Sequence, residues 1–183
     1  MERFDVAIVG GGPAGSAAAH AAASAGASAV VLEKGVPRSD RPDRLGPDST
    51  DAAGILDYWV DLMGTHPDEM PDDVVLGTLD RAEFIGPTES LTMRSTGIGS
   101  SYDHFGFCMH RARFDDFLRE RAVDAGATYR TGVSVRGVET DFAAVDGPRH
   151  RIELADGGAV GAETLILADG PQRQVTAGVL DEY

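Results

Sequence analysis

Apolar residues fall into three regimes along the chain. Residues 4–9 and 28–33 are nearly continuous apolar runs, the pattern of strands buried on both faces. Between them, residues 13–25 form an alanine-rich helical stretch, with Gly26 placed to end it. Residues 35–47 and 66–73 read as loops. Ala53, Ile55, Leu56, Trp59, Val60 and Met63 recur at helical spacing, which predicts a helix over 51–63 capped by Ser49 or Thr50. From 74 to 109 the pattern shortens. The β-prone pieces 74–79, 83–85, 90–94 and 104–109 are parted by glycine, proline and serine, as in an antiparallel sheet. A helix returns at 114–125, with Phe114, Phe117, Leu118 and Ala122 on one face and Gly126 as its stop. Strands follow at 128–130, 133–139, 151–154 and 159–162, the last two joined by the hairpin signal Asp156-Gly157-Gly158. A final apolar strand at 164–168 runs into Asp169-Gly170. Strand–helix–strand, inserted sheet, helix, small meander and closing parallel strand together indicate an α/β protein.

The junction of the first strand and helix carries the clearest chemistry. Gly10-Gly11-Gly12-Pro13-Ala14-Gly15 follows the strand directly. In this arrangement Gly10 lets the chain turn sharply, and Gly12 removes the side chain that would hold a pyrophosphate off the backbone. Gly15 lets the helix lie close on the sheet. Pro13 suits the first helical position, where a missing N–H costs nothing. The helix start offers unpaired amides and partial positive charge to phosphate. Glu33 ends the second strand 18 residues beyond Gly15, where a carboxylate can accept ribose hydroxyls. These features imply dinucleotide binding.

With Arg111-Ala112-Arg113-Phe114-Asp115-Asp116-Phe117-Leu118 before a helix and Ala168-Asp169-Gly170 after the last strand, the chain resembles the glutathione-reductase-type FAD fold. Its layout is similar to the geranylgeranyl reductase group, digeranylgeranylglycerophospholipid reductases included, and more distantly to aromatic-ring hydroxylases. The resemblance implies a Rossmann-like FAD/NAD(P)-binding domain with a parallel sheet, a small β-meander and part of an inserted antiparallel substrate sheet. It would divide the chain into a discontinuous FAD-binding domain, 1–73 and 110–183, and a partial substrate-domain insertion, 74–109. It further implies that Gly10, Gly12, Pro13, Ala14 and Gly15 hold the FAD pyrophosphate, with Glu33 at the ribose of the adenosine half and Lys34 among the cofactor-binding residues. Arg111 would reach the cofactor from its helix, Val135 would meet the adenine through its backbone, and Asp169 and Gly170 would lie beside the cofactor.

Two departures stand out. Leu167 and Arg173 occupy places where family members commonly have glycine and serine. Relatives are also about twice as long, so the chain resembles their amino-terminal half. The implied activity is FAD-dependent reduction of C=C bonds in a prenyl lipid, with NAD(P)H a candidate electron donor. An aromatic-type flavin monooxygenase, a truncated non-catalytic FAD-binding module and a plain NAD-binding dehydrogenase stay open as alternatives. No catalytic acid or base is named by the sequence. Cys108, Tyr58 and Trp59 are expected to pack, His20 to be a surface or packed residue, and Asp115 and Asp116 to favour their helix start.

Composition narrows the partners. The 183 residues fit one domain, or one and part of another, and 42% hydrophobic with 25% charged is ordinary for a globular chain. The sign of the charge is not ordinary. Thirty acidic residues against 16 basic ones give −14, with Asp at 20 to 10 over Glu and Lys34 as the single lysine. Such a surface repels nucleic acid and anionic headgroups. A small-molecule or lipid substrate is expected, with peripheral membrane contact still open. His20, the serines and Gly26 interrupt the alanine-rich run of 13–32, and Glu2 and Asp5 spoil a positive leader, so neither a transmembrane segment nor a signal peptide is expected. One cysteine, Cys108, and no suitably spaced histidines argue for a reducing, cytoplasmic setting and against a metal centre. An acidic, lysine-poor surface of this kind also suits concentrated salt, a halophilic reading with a direct check. The melting temperature should rise as KCl is increased; a melt indifferent to salt rejects it.

Overall fold

A computed structural model describes residues 1–37, 52–98 and 100–180. The chain divides into two compact units, one of Met1–Arg41 with Leu118–Tyr183 and one of Pro42–Phe117.

The first unit is built on a six-stranded sheet. Its strands are β1 (Glu2–Val9), β2 (Ala29–Glu33), β8 (Thr128–Thr131), β9 (Val135–Thr140), β10 (His150–Leu154) and β11 (Ala159–Leu167), in the order β8-β2-β1-β11-β10-β9. β8, β2, β1 and β11 run parallel, and β9, β10 and β11 form the antiparallel meander. Alternation along the central strands sends side chains to both faces. Ala7, Val30, Leu32, Ile152 and Val160 share one cluster, onto which Val175 and Val179 of α4 (Gln174–Leu180) pack. Ile8, Ala29 and Val31 share the other with Ala19 of α1 (Pro13–Ser24) and Ala122 of α3 (Arg111–Asp124). The continuous apolar runs are therefore explained: both faces are covered. Small alanines let α1 lie close on the sheet, and Gly26, at φ +86°, turns the chain out of that helix.

The sequence pattern places two strands, 159–162 and 164–168, where the structure has the single strand β11. Its first half serves both the meander and β1: Gly161 pairs with Arg151 on one side and Arg3 on the other. Glu163 looks like a break only because its solvent-facing side chain interrupts an apolar run.

In the second unit, β3 (Ala52–Leu56), β4 (Val75–Leu79) and β7 (Gly106–His110) form a three-stranded antiparallel sheet in the order β3-β7-β4. β5 (Ala82–Ile85) and β6 (Ser90–Met93) form a separate hairpin. Here a prediction fails. The stretch given to one helix over 51–63 is a strand followed by the short helix α2 (Asp57–Met63), and its expected caps, Ser49 and Thr50, lie outside the described residues. Gly54 costs a helix interior about 1 kcal/mol relative to alanine. As a strand, 52–56 places Ile55 opposite the fully buried Phe107 and Ala53 opposite Met109. Tertiary pairing overrides the helical stripe, which a two-residue period fits as well at Ala53 and Ile55. The helix begins where Asp57 adds a carboxylate to its first turn, and ends at Gly64 in the left-handed region.

Phe107 and Phe114 are fully buried, their rings 6.5 Å apart, with Tyr102 stacked edge-on against Phe107. Cys108 points to the other side of the sheet, between Gly54 and Gly77 on the neighbouring strands, and is half-buried rather than a core residue. Tyr58 and Trp59, expected to pack inside, are exposed and stack on one another with ring centroids 5.2 Å apart. Of the predicted stripe, Val60 and Met63 are the α2 positions that are buried, and Trp59 is not. His20 is half-buried on α1; burial, and then the charge of Arg121, hold its pKa below the ordinary imidazole value.

The pairing of β3 with β7 has a sharp test. A Cβ on Gly106 would lie 2.2 Å from the carbonyl oxygen of Ile55, which is backbone and cannot swing away. Gly106→Ala should cost about 1–3 kcal/mol in chemical denaturation, the usual range for overpacking. An unchanged denaturation midpoint would mean that this strand pair is misplaced.

Candidate functional site

The three glycines after β1 sit where ligands of open α/β sheets gather, outside the carboxyl ends of the parallel strands. The turn is stitched to both neighbouring strands: the Gly10 N–H donates to Leu32 O at 2.9 Å, and the Ala168 N–H donates to Val9 O at 2.8 Å. Gly10 has φ +101°, and a Cβ there would come within 2.3 Å of the Ala168 carbonyl oxygen. A Cβ on Gly15 would sit 1.9 Å from the Gly10 carbonyl oxygen, so the first turn of α1 rests directly on the corner. Gly11 is equally confined, with the Tyr129 hydroxyl 2.2 Å from its would-be Cβ. Gly12 is different. It has an ordinary φ of −71°, and a Cβ there would meet nothing within 4 Å.

Gly12 is the N-cap of α1 and Pro13 its first residue, with no side chain capping the turn. The first-turn amides of a helix have no partner within it, and at Gly12, where the turn begins, a Cβ would meet no described atom within 4 Å. This combination fits the diphosphate of a dinucleotide: an uncapped helix start, a side-chain-free approach and the positive end of the helix dipole.

Glu33 reaches the corner from the end of β2. One carboxylate oxygen accepts the Gly11 N–H, and the other accepts the Gly35 N–H at 2.6 Å. A carboxylate offers about four acceptor positions, so two remain for ribose hydroxyls. Lys34 follows, its Nζ donating to the Gln172 side chain at 3.4 Å. Val135 opens β9 opposite Leu154, beside the register shift between Glu153 and Leu154. Arg111 belongs to the second unit at the start of α3, where its Nε donates to Asp115 at 2.8 Å, four residues along the same helix. Arg113 pairs with Asp73. The helix begins at Arg111 rather than Phe114, so Asp115 and Asp116 lie beyond its first turn and do not favour its start as expected; Asp115 instead orients the arginine.

Three residues at the corner were not singled out from sequence: Gly11, Ser16 and Tyr129. The Gly11 carbonyl accepts from the Tyr129 hydroxyl at 2.6 Å and from the Ser16 hydroxyl at 3.1 Å. The available signals were a middle glycine in a triple, and a serine among alanines. Nothing local marked Tyr129, 118 residues away.

Asp169 and Gly170 follow β11, and Gly170 has φ +75°. Asp169 accepts from the N–H groups of Val175 at 2.8 Å and Thr176 at 3.0 Å, and from the Thr176 hydroxyl. Its carboxylate therefore holds the first turn of α4. Burial alone would raise its pKa, but the bonds from Thr176 and Val175 outweigh it and hold the carboxyl below its ordinary value of 3.8. A depressed folded pKa means stabilisation that is complete above the ordinary value and lost as pH falls through the folded one. Asp169→Ala should cost about 1 kcal/mol near neutral pH, as lost caps do. The urea midpoints of variant and wild type should converge below pH 3.8. A gap that persists undiminished in acid removes this role.

Comparison with known proteins meets the same region. Residues 5–82 match the FAD binding domain family. Over 91% of its length the chain is 30% identical to protein FixC of Escherichia coli strain K12, covering 36% of that protein. Over 93% it is 32% identical to the digeranylgeranylglycerophospholipid reductase of Thermoplasma acidophilum, covering 40%. A solved geranylgeranyl bacteriochlorophyll reductase-like protein from T. acidophilum superposes with a TM-score of 0.70 at 27% identity, across 98% of this chain and 42% of that one. The myxobacterial chondrochloren halogenase shares the fold, with a TM-score of 0.68 at 23% identity over 97% and 40%. The chain thus spans 36–40% of the curated relatives it matches. No helix among the described residues is long and apolar enough to cross a membrane. The glycine corner lies inside the segment that matches the FAD binding domain family, and over nearly all of its length the chain is similar to the amino-terminal portion of geranylgeranyl-reductase-like flavoproteins.

Proposed function

We propose that this chain forms the FAD-holding part of an oxidoreductase that reduces C=C bonds of a prenyl lipid. The observation that carries the cofactor half of this reading is the open space before Gly12 at an uncapped helix start. In it, the amides of Gly12, Ala14 and Gly15 receive the FAD diphosphate, and Pro13 fixes the first turn without adding a donor that would need a partner. Glu33 takes the adenosine ribose with its two remaining acceptor positions. Gly10 and Gly15 shape the corner. Val135 lies toward the adenine, with its backbone available at the start of β9. Lys34 adds a positive charge on the loop after β2. Asp169 and Gly170 fix the turn after β11, and the cofactor passes that turn by its backbone, since the Asp169 carboxylate is committed to α4. Arg111, oriented by Asp115, takes the cofactor-facing role that the resemblance gives it.

FAD, when bound, supplies the hydride chemistry, with NAD(P)H its electron donor. The chain's own part is to bind, orient and exclude water. The prenyl substrate is supported by the digeranylgeranylglycerophospholipid reductases among the relatives and by the geranylgeranyl-reductase-like solved structure. A lipid substrate makes peripheral contact with a bilayer part of this reading.

The cofactor assignment has a selective test, because the glycines differ. A Cβ at position 12 meets no described protein atom within 4 Å, so the fold should survive Gly12→Val while FAD uptake is lost through steric block. Glu33→Ala should weaken FAD by about 1–3 kcal/mol, the cost of losing hydrogen bonds to a charged acceptor. The reading stands if purified wild-type chain is yellow and keeps its flavin through gel filtration. A folded Gly12→Val chain that binds FAD like wild type would displace the diphosphate from this corner.

A further inference from the structure

We propose that Tyr129 is a positioning residue for the FAD diphosphate: by holding the Gly11 carbonyl from behind, it aims the Gly12 amide at the phosphates. This rests on the FAD reading above and adds a residue that lies on a strand remote in sequence from the glycine motif.

The geometry is a three-point clamp. The Tyr129 hydroxyl donates to the Gly11 carbonyl oxygen at 2.6 Å, the Ser16 hydroxyl donates to the same oxygen at 3.1 Å, and the two hydroxyl oxygens are 3.0 Å apart. Ser16 is buried on α1, and Tyr129 sits in β8 opposite Val31 of β2, its ring against the apolar cluster of Ile8, Ala19 and Val31. The clamp is therefore anchored in two rigid elements.

The Gly11 carbonyl and the Gly12 N–H belong to one peptide unit, and in a trans peptide they point in opposite directions. Holding the carbonyl toward Tyr129 and Ser16 sends the Gly12 N–H away from them, at the residue whose surroundings are open. A peptide flanked by glycines is the most freely rotating kind in a chain. Released, it could turn over and present a carbonyl oxygen to the phosphates, replacing an attraction by a repulsion. The clamp removes that alternative before the ligand arrives, which is preorganisation in the ordinary sense. Glu33, accepting the Gly11 N–H, restrains the preceding peptide unit of the same corner.

Tyr129→Phe keeps the ring in its apolar cluster and deletes only the hydroxyl. The test compares FAD, ADP and adenosine binding to purified wild type and variant, with far-UV circular dichroism and melting to confirm folding. FAD and ADP both carry the diphosphate, and each should bind about five- to tenfold more weakly to the variant, the worth of one good hydrogen bond. Adenosine, which lacks phosphate, should bind both proteins alike. Ser16→Ala should show the same selectivity with a smaller loss, and it carries the comparison if Tyr129→Phe does not fold. FAD and ADP affinities unchanged in folded variants overturn the proposal, and so does an equal loss for adenosine, which would mean general loosening of the domain. Wild-type chain that binds neither FAD nor ADP overturns the cofactor reading together with this one; wild-type binding matched by the variants overturns this one alone.

Discussion

The architecture of the first unit depends on how closely its backbone approaches itself at one corner. The Gly10 carbonyl lies where a Cβ on Gly15 would be, and the Ala168 carbonyl lies where a Cβ on Gly10 would be. Three main-chain segments therefore meet with no side chain between them: the end of β1, the start of α1 and the end of β11. Two parallel-strand partners fix the corner further through the bonds from Gly10 to Leu32 and from Ala168 to Val9. A bulky residue at either glycine would part the helix from the strand and open the sheet at its most buried point, where Ala7 and Ile8 are wholly inaccessible.

Close approach alone would leave the amides and carbonyls of the corner badly aimed. Polar side chains settle their directions. Glu33 takes N–H groups from Gly11 and Gly35, so a single carboxylate ties the loop after β1 to the loop after β2. Charge-assisted bonds of this kind are roughly twice as strong as neutral ones, which suits a group that must hold two flexible segments. Asp169 plays the corresponding part after β11, gathering the first turn of α4. The negative groups near the proposed anion site are thus spent on backbone amides, and the helix start of α1 is left without a side-chain cap.

How much of this was legible in the sequence follows from which interactions are local. The parallel strands and α1 could be read because burial on both faces enforces continuous apolar runs, and because glycine and proline punctuate the turns. Asp169 was read near the cofactor from its place after a strand, whereas its visible bonds run forward to α4, a helix whose short, weakly patterned sequence gave no sign of itself. β3 was misread because Ala53, Ile55 and Leu56 satisfy both periods, and only pairing with Phe107 and Met109 decides between them. Tyr129 was invisible for a different reason. Its partner is a main-chain oxygen, and a contact with backbone leaves no complementary residue type for a reader of sequence to find.

The glycine run illustrates the distinction that matters most for function. Read as a motif, Gly10, Gly12 and Gly15 look equivalent, each a position without a side chain. In the structure two of them are filled by the protein's own backbone and the third is not. Gly10 and Gly15 are required by folding, and any domain with this corner would need them whatever it bound. Gly12 has an ordinary φ and empty space around it, so no constraint internal to the described residues requires glycine there. Glycine also costs backbone entropy relative to other residues, which makes its presence at an unconstrained position unfavourable for stability. On the proposed reading the requirement comes from a ligand, the cofactor diphosphate, that approaches the backbone as closely as the protein approaches itself at the other two.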